Sequence, residues 1–354
     1  MGEKKLFKGN EAIAEAAIRG GCRYFFGYPI TPQNEIPEYM SRRMPEVGGV
    51  FLQAESEVAA INMVYGAAGS GARVMTSSSS PGISLKQEGI TYLAGAEVPC
   101  VIVNMVRGGP GLGGIQPAQS DYFQAVKGGG HGDYKLIVYT PATIQETVNI
   151  LWDAYDVAEK YRIPVMILGD GLIGQMMEPV EFKDFKDISN NDKEWATNGT
   201  DLKRKPRIIN SLYLNADELY KHNMKLAAKY KTIEENEVKY EAYKVDDADF
   251  VIVAYGSTSR ICKSVIDKAR AEGIKAGMIR PITIYPFPTE AIAKAADYAK
   301  MFLSVEMSMG QMVEDVKLAV NGKAPVEFFG TAGGVVPTAA SILAKVKELA
   351  GEVK

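Results

Sequence analysis

Histidine and cysteine are nearly missing from this chain of 354 residues, which has only His131 and His222, and Cys22, Cys100 and Cys262. Two histidines are too few for a histidine-rich metal centre, and a Ser-His-Asp relay would need one of them in a demanding role. Three thiols far apart, with no CxxC spacing, exclude a disulfide framework and suit a reducing compartment. They also fall short of the four close thiolates that an iron–sulfur cluster usually takes. Neither sign of charge is in excess, with 40 basic against 43 acidic side chains, so nothing electrostatic points to nucleic acid or an anionic membrane. Long apolar runs are absent as well. The stretch from Val98 to Val106 is interrupted and well short of the roughly 20 residues that span a bilayer. Lys4, Lys5 and Lys8 have no apolar segment behind them, so no secretory signal is expected. These absences lead to the expectation of a soluble, cytoplasmic protein. If it is an enzyme, its proton chemistry falls to carboxylates or to a cofactor.

What is present is apolar residue in quantity, 46% of the chain, and enough length for two domains of roughly 100–200 residues. Short apolar segments, Tyr24–Phe26, Val50–Leu52, Arg73–Met75, Cys100–Met105, Leu136–Tyr139 and Pro164–Leu168, read as strands. Helical stretches separate them. Asn10 and Ser56 are placed to cap two of these, and a long one runs from Ile144 to Lys160. Continuous apolar strands between helices imply an α/β fold, a doubly wound parallel sheet covered on both faces. From residue 181 to 247 the texture turns polar and charged, with a helical stretch from Ala216 to Lys244, and reads as a connector with a solvated face. Alternation resumes at residue 248 with strands Phe250–Tyr255, Lys275–Ile279, Met301–Val305 and Val326–Phe329, and helices Arg260–Ala271 and Pro337–Leu349. The expected division is therefore residues 1–180, 181–247 and 248–354.

Ligands of doubly wound sheets sit outside the carboxyl ends of the strands. Three unusual segments fall there: Gly27–Pro32 (GYPITP), Thr76–Gly82 (TSSSSPG) and Arg107–Pro117 (RGGPGLGGIQP). Glycine, proline and hydroxyl side chains let backbone approach a ligand on a fixed path. Arg107 leaves an apolar strand into a glycine loop, well placed to clamp a carboxylate through paired hydrogen bonds; a structural ion pair is the plainer alternative. Glu57 opens the helix that Ser56 caps, where the helix dipole favours a carboxylate, and Glu55 is an equal competitor on sequence grounds. Gly169-Asp170-Gly171 followed by Asn190-Asn191 imitates a magnesium–diphosphate signature, but the gap is short and lacks the expected helix and strand, so a plain strand end is preferred. Gly256-Ser257-Thr258-Ser259 lacks the spacing of a phosphate loop and reads as a strand-to-helix turn.

In combination, GYPITPQNEI, ESEVAAINMVYGAAGSGARVMTSSSSPGISL and MVRGGPGLGG resemble the alpha subunits of 2-oxoacid:ferredoxin oxidoreductases. VIVAYGSTSR, IRPITIYPFP and VEMSMGQM are similar to the transketolase C-terminal-like domain of the same subunits. Length and the GGIQPAQSDY continuation look most like the branched-chain, 2-oxoisovalerate type. The resemblance implies a pyrimidine-type thiamine-diphosphate-binding domain followed by a smaller transketolase C-terminal-like domain. It implies CoA-dependent oxidative decarboxylation of a 2-oxoacid with ferredoxin as acceptor. It assigns Glu57, not Glu55, to the cofactor's aminopyrimidine ring, Pro29 and Thr31 to the cofactor, and Thr31 and Arg107 to the substrate. Thiamine diphosphate would be shared with a beta subunit. Mg2+ and 4Fe–4S clusters would lie on partner chains, including a gamma and a ferredoxin-like subunit of a hetero-oligomer, and coenzyme A would be co-substrate. Two departures stand out: Ser78-Ser79-Ser80-Pro81-Gly82 where relatives read Thr-Ser-Gly-Pro-Gly, and Gln116 where some have threonine. Pyruvate, 2-oxoglutarate or an aryl pyruvate stays open as substrate. From the residues alone, a non-catalytic nucleotide- or phosphate-binding module also stays open.

Overall fold

The structure is a computed structural model that describes residues 4–189 and 193–352. Its strands in chain order begin with β1 (Lys5–Lys8), β2 (Tyr24–Gly27), β3 (Val50–Gln53), β4 (Val74–Ser78) and β5 (Val101–Val106). Next come β6 (Ile137–Tyr139), β7 (Val165–Asp170), β8 (Met177–Val180) and β9 (Tyr240–Tyr243). The last are β10 (Phe250–Val253), β11 (Ala276–Pro281), β12 (Thr283–Tyr285), β13 (Met301–Glu306) and β14 (Val326–Gly330).

The first sheet has the order β12-β6-β7-β5-β4-β2-β3 and is parallel except where β12 meets β6. Every residue of β4, β5 and β7 is buried, the condition that makes such strands read as unbroken apolar runs. From β2 the chain crosses outward to β3 through the helix Glu35–Glu46. From β4 it crosses the other way to β5 through the helix Pro81–Gly95. That reversal opens a crevice between the carboxyl ends of β2 and β4. The second sheet, β14-β13-β10-β11-β9, is parallel except for β9 on β11.

Several expectations need correction. The polar run from Thr76 is not all loop, because Thr76–Ser78 continue β4 and Pro81 already opens a helix, leaving Ser79 and Ser80 as the turn. The charged helix is Ala216–Asn236, not one that reaches Lys244. Tyr240–Tyr243 instead pairs antiparallel with β11, its side chains alternately exposed and half-buried, as an edge strand requires. Asn10 does not cap. It lies inside the helix Gly9–Arg19 and donates to the Pro32 carbonyl (2.7 Å) and to Glu35 Oε2 (2.7 Å), tying that helix to the GYPITP turn. Ser56 does cap, its hydroxyl accepting from the Ala59 N–H at 3.1 Å.

Two buried side chains clasp the strand ends of one sheet to those of the other. Gln119 donates to the Tyr255 carbonyl (2.9 Å) and accepts from the Thr258 hydroxyl (2.8 Å) and the Met307 N–H (3.0 Å). Asp170 caps the helix Gly171–Gln175 through the N–H groups of Leu172 and Ile173 and accepts from the Ser257 hydroxyl. Its oxygens are thus engaged, and burial raises its proton affinity. Asn190 and Asn191 lie outside the described residues. Gly256–Ser259 form the first turn of the helix Gly256–Ala271 rather than a separate turn before it.

Candidate functional site

Ser56 fixes the start of the helix Glu57–Gly69, and its first residue turns inward. Glu57 is 7% exposed, whereas Glu55 faces solvent. The Glu57 carboxyl lies over Gly82, at the mouth of β4. A Cβ on Gly82 would fall 2.7 Å from Glu57 Oε1 and 2.0 Å from Ser78 Oγ. Only hydrogen fits there, so glycine opens the space into which the carboxylate reaches.

Arg107 stands at the end of β5. Its loop is a closed excursion: Arg107 bridges Pro117, and the Gly108 N–H donates to the Gln116 carbonyl at 3.0 Å. The guanidinium donates to the carbonyls of Thr31 (2.8 Å) and Leu112 (3.0 Å). Among the described residues no carboxylate pairs with it, and Nε has no partner. Sequence left a structural ion pair open, and the geometry removes it. A buried cation bonded only to neutral oxygens still has donors to offer an anion. Thr31 is half-buried beside it, its hydroxyl accepting from Asn34 Nδ2 at 3.4 Å. Pro29 sits on the exposed outer edge of the same turn.

Ser80, which the sequence marks only as part of a departure and not as a site residue, joins the two halves. Its hydroxyl accepts from the Arg107 N–H (3.0 Å) and donates to the Arg107 carbonyl (3.3 Å), while its own N–H donates to Asn104 Oδ1 (3.0 Å). Its φ of 21° is positive, a conformation that favours glycine and costs about 1–3 kcal/mol in other residues. Glycine at this place would avoid that cost, so the departure noted in sequence falls on a strained residue. Asn104 in turn donates to Asp121 Oδ2 (2.9 Å), whose proton affinity burial raises. Glu57, Gly82, Ser80, Arg107 and Thr31 thus form one contiguous chain of contacts.

Two clefts flank that chain. One of 680 Å³ runs between Arg107, Ser80 and Asp121 and the Met307–Gln311 turn of the second sheet. One of 500 Å³ runs along Thr31, Gln116 and Leu172. A larger cleft of 830 Å³ lies elsewhere, among Lys231, Glu235 and Tyr285, and none of the three strand-end loops lines it. Buried polar atoms in folded proteins are almost all bonded. Of the ten side-chain atoms buried without a partner among the described residues, four, Asn34 Oδ1, Ser78 Oγ, Ser79 Oγ and Arg107 Nε, lie on or beside these loops. His131 is exposed, and His222 meets the Gly95 carbonyl at 2.7 Å on another face. The cysteines are buried and free.

Residues 15–242 match the thiamine-diphosphate-binding domain model of pyruvate flavodoxin/ferredoxin oxidoreductase, and residues 248–342 match core domain II of pyruvate:ferredoxin oxidoreductase. The chain belongs to the 2-oxoacid:ferredoxin oxidoreductase family. It is 52% identical to the ketoisovalerate oxidoreductase subunit VorB of Methanothermobacter marburgensis, over 98% of both chains. It is 37% identical to the 2-oxoglutarate synthase subunit KorA of the same organism, over 98% of this chain and 99% of that one. Among solved structures, the 2-oxoglutarate:ferredoxin oxidoreductase of Magnetococcus marinus superposes with a TM-score of 0.86 at 26% identity. That match covers 99% of this chain and 66% of the other. A split-gene transketolase, at 0.59 and 14%, shares the fold. As a family member the chain carries the thiamine-diphosphate-binding domain of a 2-oxoacid:ferredoxin oxidoreductase, and a passive nucleotide-binding module is set aside. Subunits of this kind act in multi-subunit enzymes. No helix among the described residues is long and apolar enough to cross a membrane.

The residues present fit half of that cofactor. A buried carboxylate, a glycine cradle beneath it and orphaned serine hydroxyls suit a heterocycle that is polar at its edge and apolar on its faces. Among the described residues no cluster of three His, Cys, Asp or Glu side chains exists to hold the metal of a diphosphate.

Proposed function

We propose that this chain is the pyrimidine-side subunit of a 2-oxoisovalerate:ferredoxin oxidoreductase, acting on 2-oxoisovalerate and other branched-chain 2-oxoacids. The burial of Glu57 over Gly82 carries the cofactor role, and the 52% identity to a ketoisovalerate oxidoreductase subunit supports the substrate class. Thiamine diphosphate, when bound, supplies the carbanion chemistry that releases carbon dioxide. Glu57 holds a hydrogen bond at the edge of the pyrimidine and so governs which ring nitrogen carries the proton. Arg107 and Thr31 hold the substrate carboxylate, with Pro29 completing the turn on the cofactor side. The closed Arg107–Pro117 loop keeps the guanidinium forked toward the crevice and away from bulk water.

The diphosphate half of the cofactor, with Mg2+, is assigned to a beta subunit. Cluster-bearing and gamma chains are assigned electron transfer toward ferredoxin and the handling of coenzyme A. Support comes from the rim of the crevice, where Val58, Leu85, Leu112, Ile115 and Met309 expose apolar surface, Leu112 to 80%. Apolar residues gathered around a site in this way mark a covered face. Initial rates of CoA-dependent ferredoxin reduction by the assembled complex, on a panel of 2-oxoacids, test the substrate class. Highest kcat/KM on 2-oxoisovalerate is expected. Preference for pyruvate, 2-oxoglutarate or an aryl pyruvate would reassign the substrate and leave the site intact.

A further inference from the structure

Asn104 is a polar residue in the middle of β5, a strand otherwise built of valine, isoleucine and methionine, and it is completely buried. Asparagine is a poor strand former, and leucine would fill such a place without polar atoms to satisfy. Its amide meets two partners of opposite kind. Oδ1 accepts from the Ser80 N–H (3.0 Å), and Nδ2 donates to Asp121 Oδ2 (2.9 Å). Turned over, the amide would set its nitrogen against an N–H and its oxygen against a carboxylate. A single orientation therefore suits both neighbours. Without Oδ1 the Ser80 N–H would be a buried donor with nothing to meet, in the very turn whose φ is 21°.

Ser80 passes this constraint on. Its hydroxyl bonds the N–H (3.0 Å) and the carbonyl (3.3 Å) of Arg107, so the residue that Asn104 fixes is the one that fixes the backbone under the guanidinium. Asp121, half-buried in the wall of the same cleft, anchors the other end. Burial raises its proton affinity, and the Asn104 amide works against that rise. The ionisable groups nearby are occupied elsewhere. Arg107 donates to the Thr31 and Leu112 carbonyls, and Asp315 accepts from the Tyr122 hydroxyl and Lys127. Glu306 accepts from Ser304, Ser308 and the N–H groups of Gln311, Met312 and Val313. The Tyr255 hydroxyl donates to the Gln119 carbonyl. Among the described residues no lysine or arginine is bonded to Asp121, and its carboxylate is left to hold Asn104.

We propose that Asn104, oriented by Asp121, is a positioning residue for substrate binding: it holds the Ser80 turn in the form that aims Arg107 at the carboxylate of the 2-oxoacid. The proposal rests on the reading of Arg107 given above. A carboxylate in place of the Asn104 amide would still accept from the Ser80 N–H, but it would face the carboxylate of Asp121. Two such groups share one proton and repel each other once it is lost. Exchanging the two side chains restores both bonds, with the carboxylate at position 104 accepting and the amide at position 121 donating.

Steady-state kinetics of the assembled complex on 2-oxoisovalerate, repeated across pH, tests this. Asn104→Asp binds substrate nearly as wild type does at acidic pH, where the shared proton bridges the pair. Once that proton leaves, its KM rises about tenfold, the scale of one broken hydrogen bond, with kcat little changed. Asn104→Asp combined with Asp121→Asn returns KM and its pH profile to those of wild type. A merely structural pair would change the melting temperature and leave Asn104→Asp with the wild-type pH profile of KM, and that result overturns the proposal. An exchanged pair that binds substrate no better than Asn104→Asp alone is equally fatal. Should Asn104→Asp fail to assemble, the exchanged pair decides: wild-type KM upholds the proposal, and a raised KM or failed assembly defeats it. Arg107→Lys keeps the two questions apart. If its KM is unchanged, the reading of Arg107 fails; if it raises KM while Asn104→Asp is inert, only the role of Asn104 fails.

Discussion

The Arg107 guanidinium makes its observed bonds to neutral carbonyls, and on the proposed reading its remaining donors meet a substrate carboxylate. Lysine keeps the charge and loses the planar fork. Arg107→Lys is expected to raise KM for the 2-oxoacid about tenfold, the equivalent of one charge-assisted hydrogen bond, with little change in kcat. Steady-state kinetics of the complex would show it, and an unchanged KM would remove the clamp. Ser80 allows a comparison within one position. Its positive φ and its two hydrogen bonds to the Arg107 backbone oppose each other in energy. Ser80→Gly loses the bonds, about 0.5–1.5 kcal/mol each, but relieves strain of about 1–3 kcal/mol, so its melting temperature stays near wild type. Ser80→Ala loses the bonds and keeps the strain, so it melts lower. Both raise KM, because the backbone that aims the guanidinium is no longer held. Thermal unfolding in the order Ala above Gly would refute the strain.

Elements differ in how openly the sequence declares them. The Ser56 cap and the runs of β5 and β7 were legible because their causes are local: a hydroxyl three residues before an N–H, and apolar side chains buried on both faces. The extension of β4 through Ser77 and Ser78 was not. Hydroxyl residues look like loop until their partners are known, and here Gln33 binds Ser77 and Lys86 binds Thr76. Strand β12 hid for another reason, since a three-residue strand owes its sheet to a pairing with Tyr139, far away in sequence. Lys86 reads as an ordinary helical lysine, and only the fold shows it fully buried with its amine on Thr76 Oγ1 and the Ser77 carbonyl. The helix Pro81–Gly95 carries the next prediction. A methyl at Gly82 would strike Ser78 Oγ at 2.0 Å and Glu57 Oε1 at 2.7 Å. Gly82→Ala should cost about 1–3 kcal/mol through overpacking and lower thiamine diphosphate affinity by displacing Glu57. Full affinity measured by titration would mean that the carboxylate is not where the cofactor binds.

At the scale of the molecule, the clasps of Gln119 and Asp170 hold the strand ends of the two sheets against each other and shape the cleft between Arg107 and Met307. Gln119→Ala strands the Thr258 hydroxyl and the Met307 N–H in a buried place, a loss of about 1–3 kcal/mol for each unsatisfied group. Lower thermal stability is expected with the substrate panel otherwise in the same order. On the proposed reading the chain holds the pyrimidine half of a pocket, so the isolated subunit should bind thiamine diphosphate far more weakly than the assembled enzyme. The most direct measurement is carbon dioxide release from a branched-chain 2-oxoacid by the reconstituted complex carrying Glu57→Gln, which keeps the shape and removes the charge. Decarboxylation should fall by at least about a hundredfold, the scale of a lost proton-transfer partner, while the complex still assembles. Turnover at the wild-type rate would contradict the assignment of Glu57, and with it the account of this crevice as the pyrimidine site.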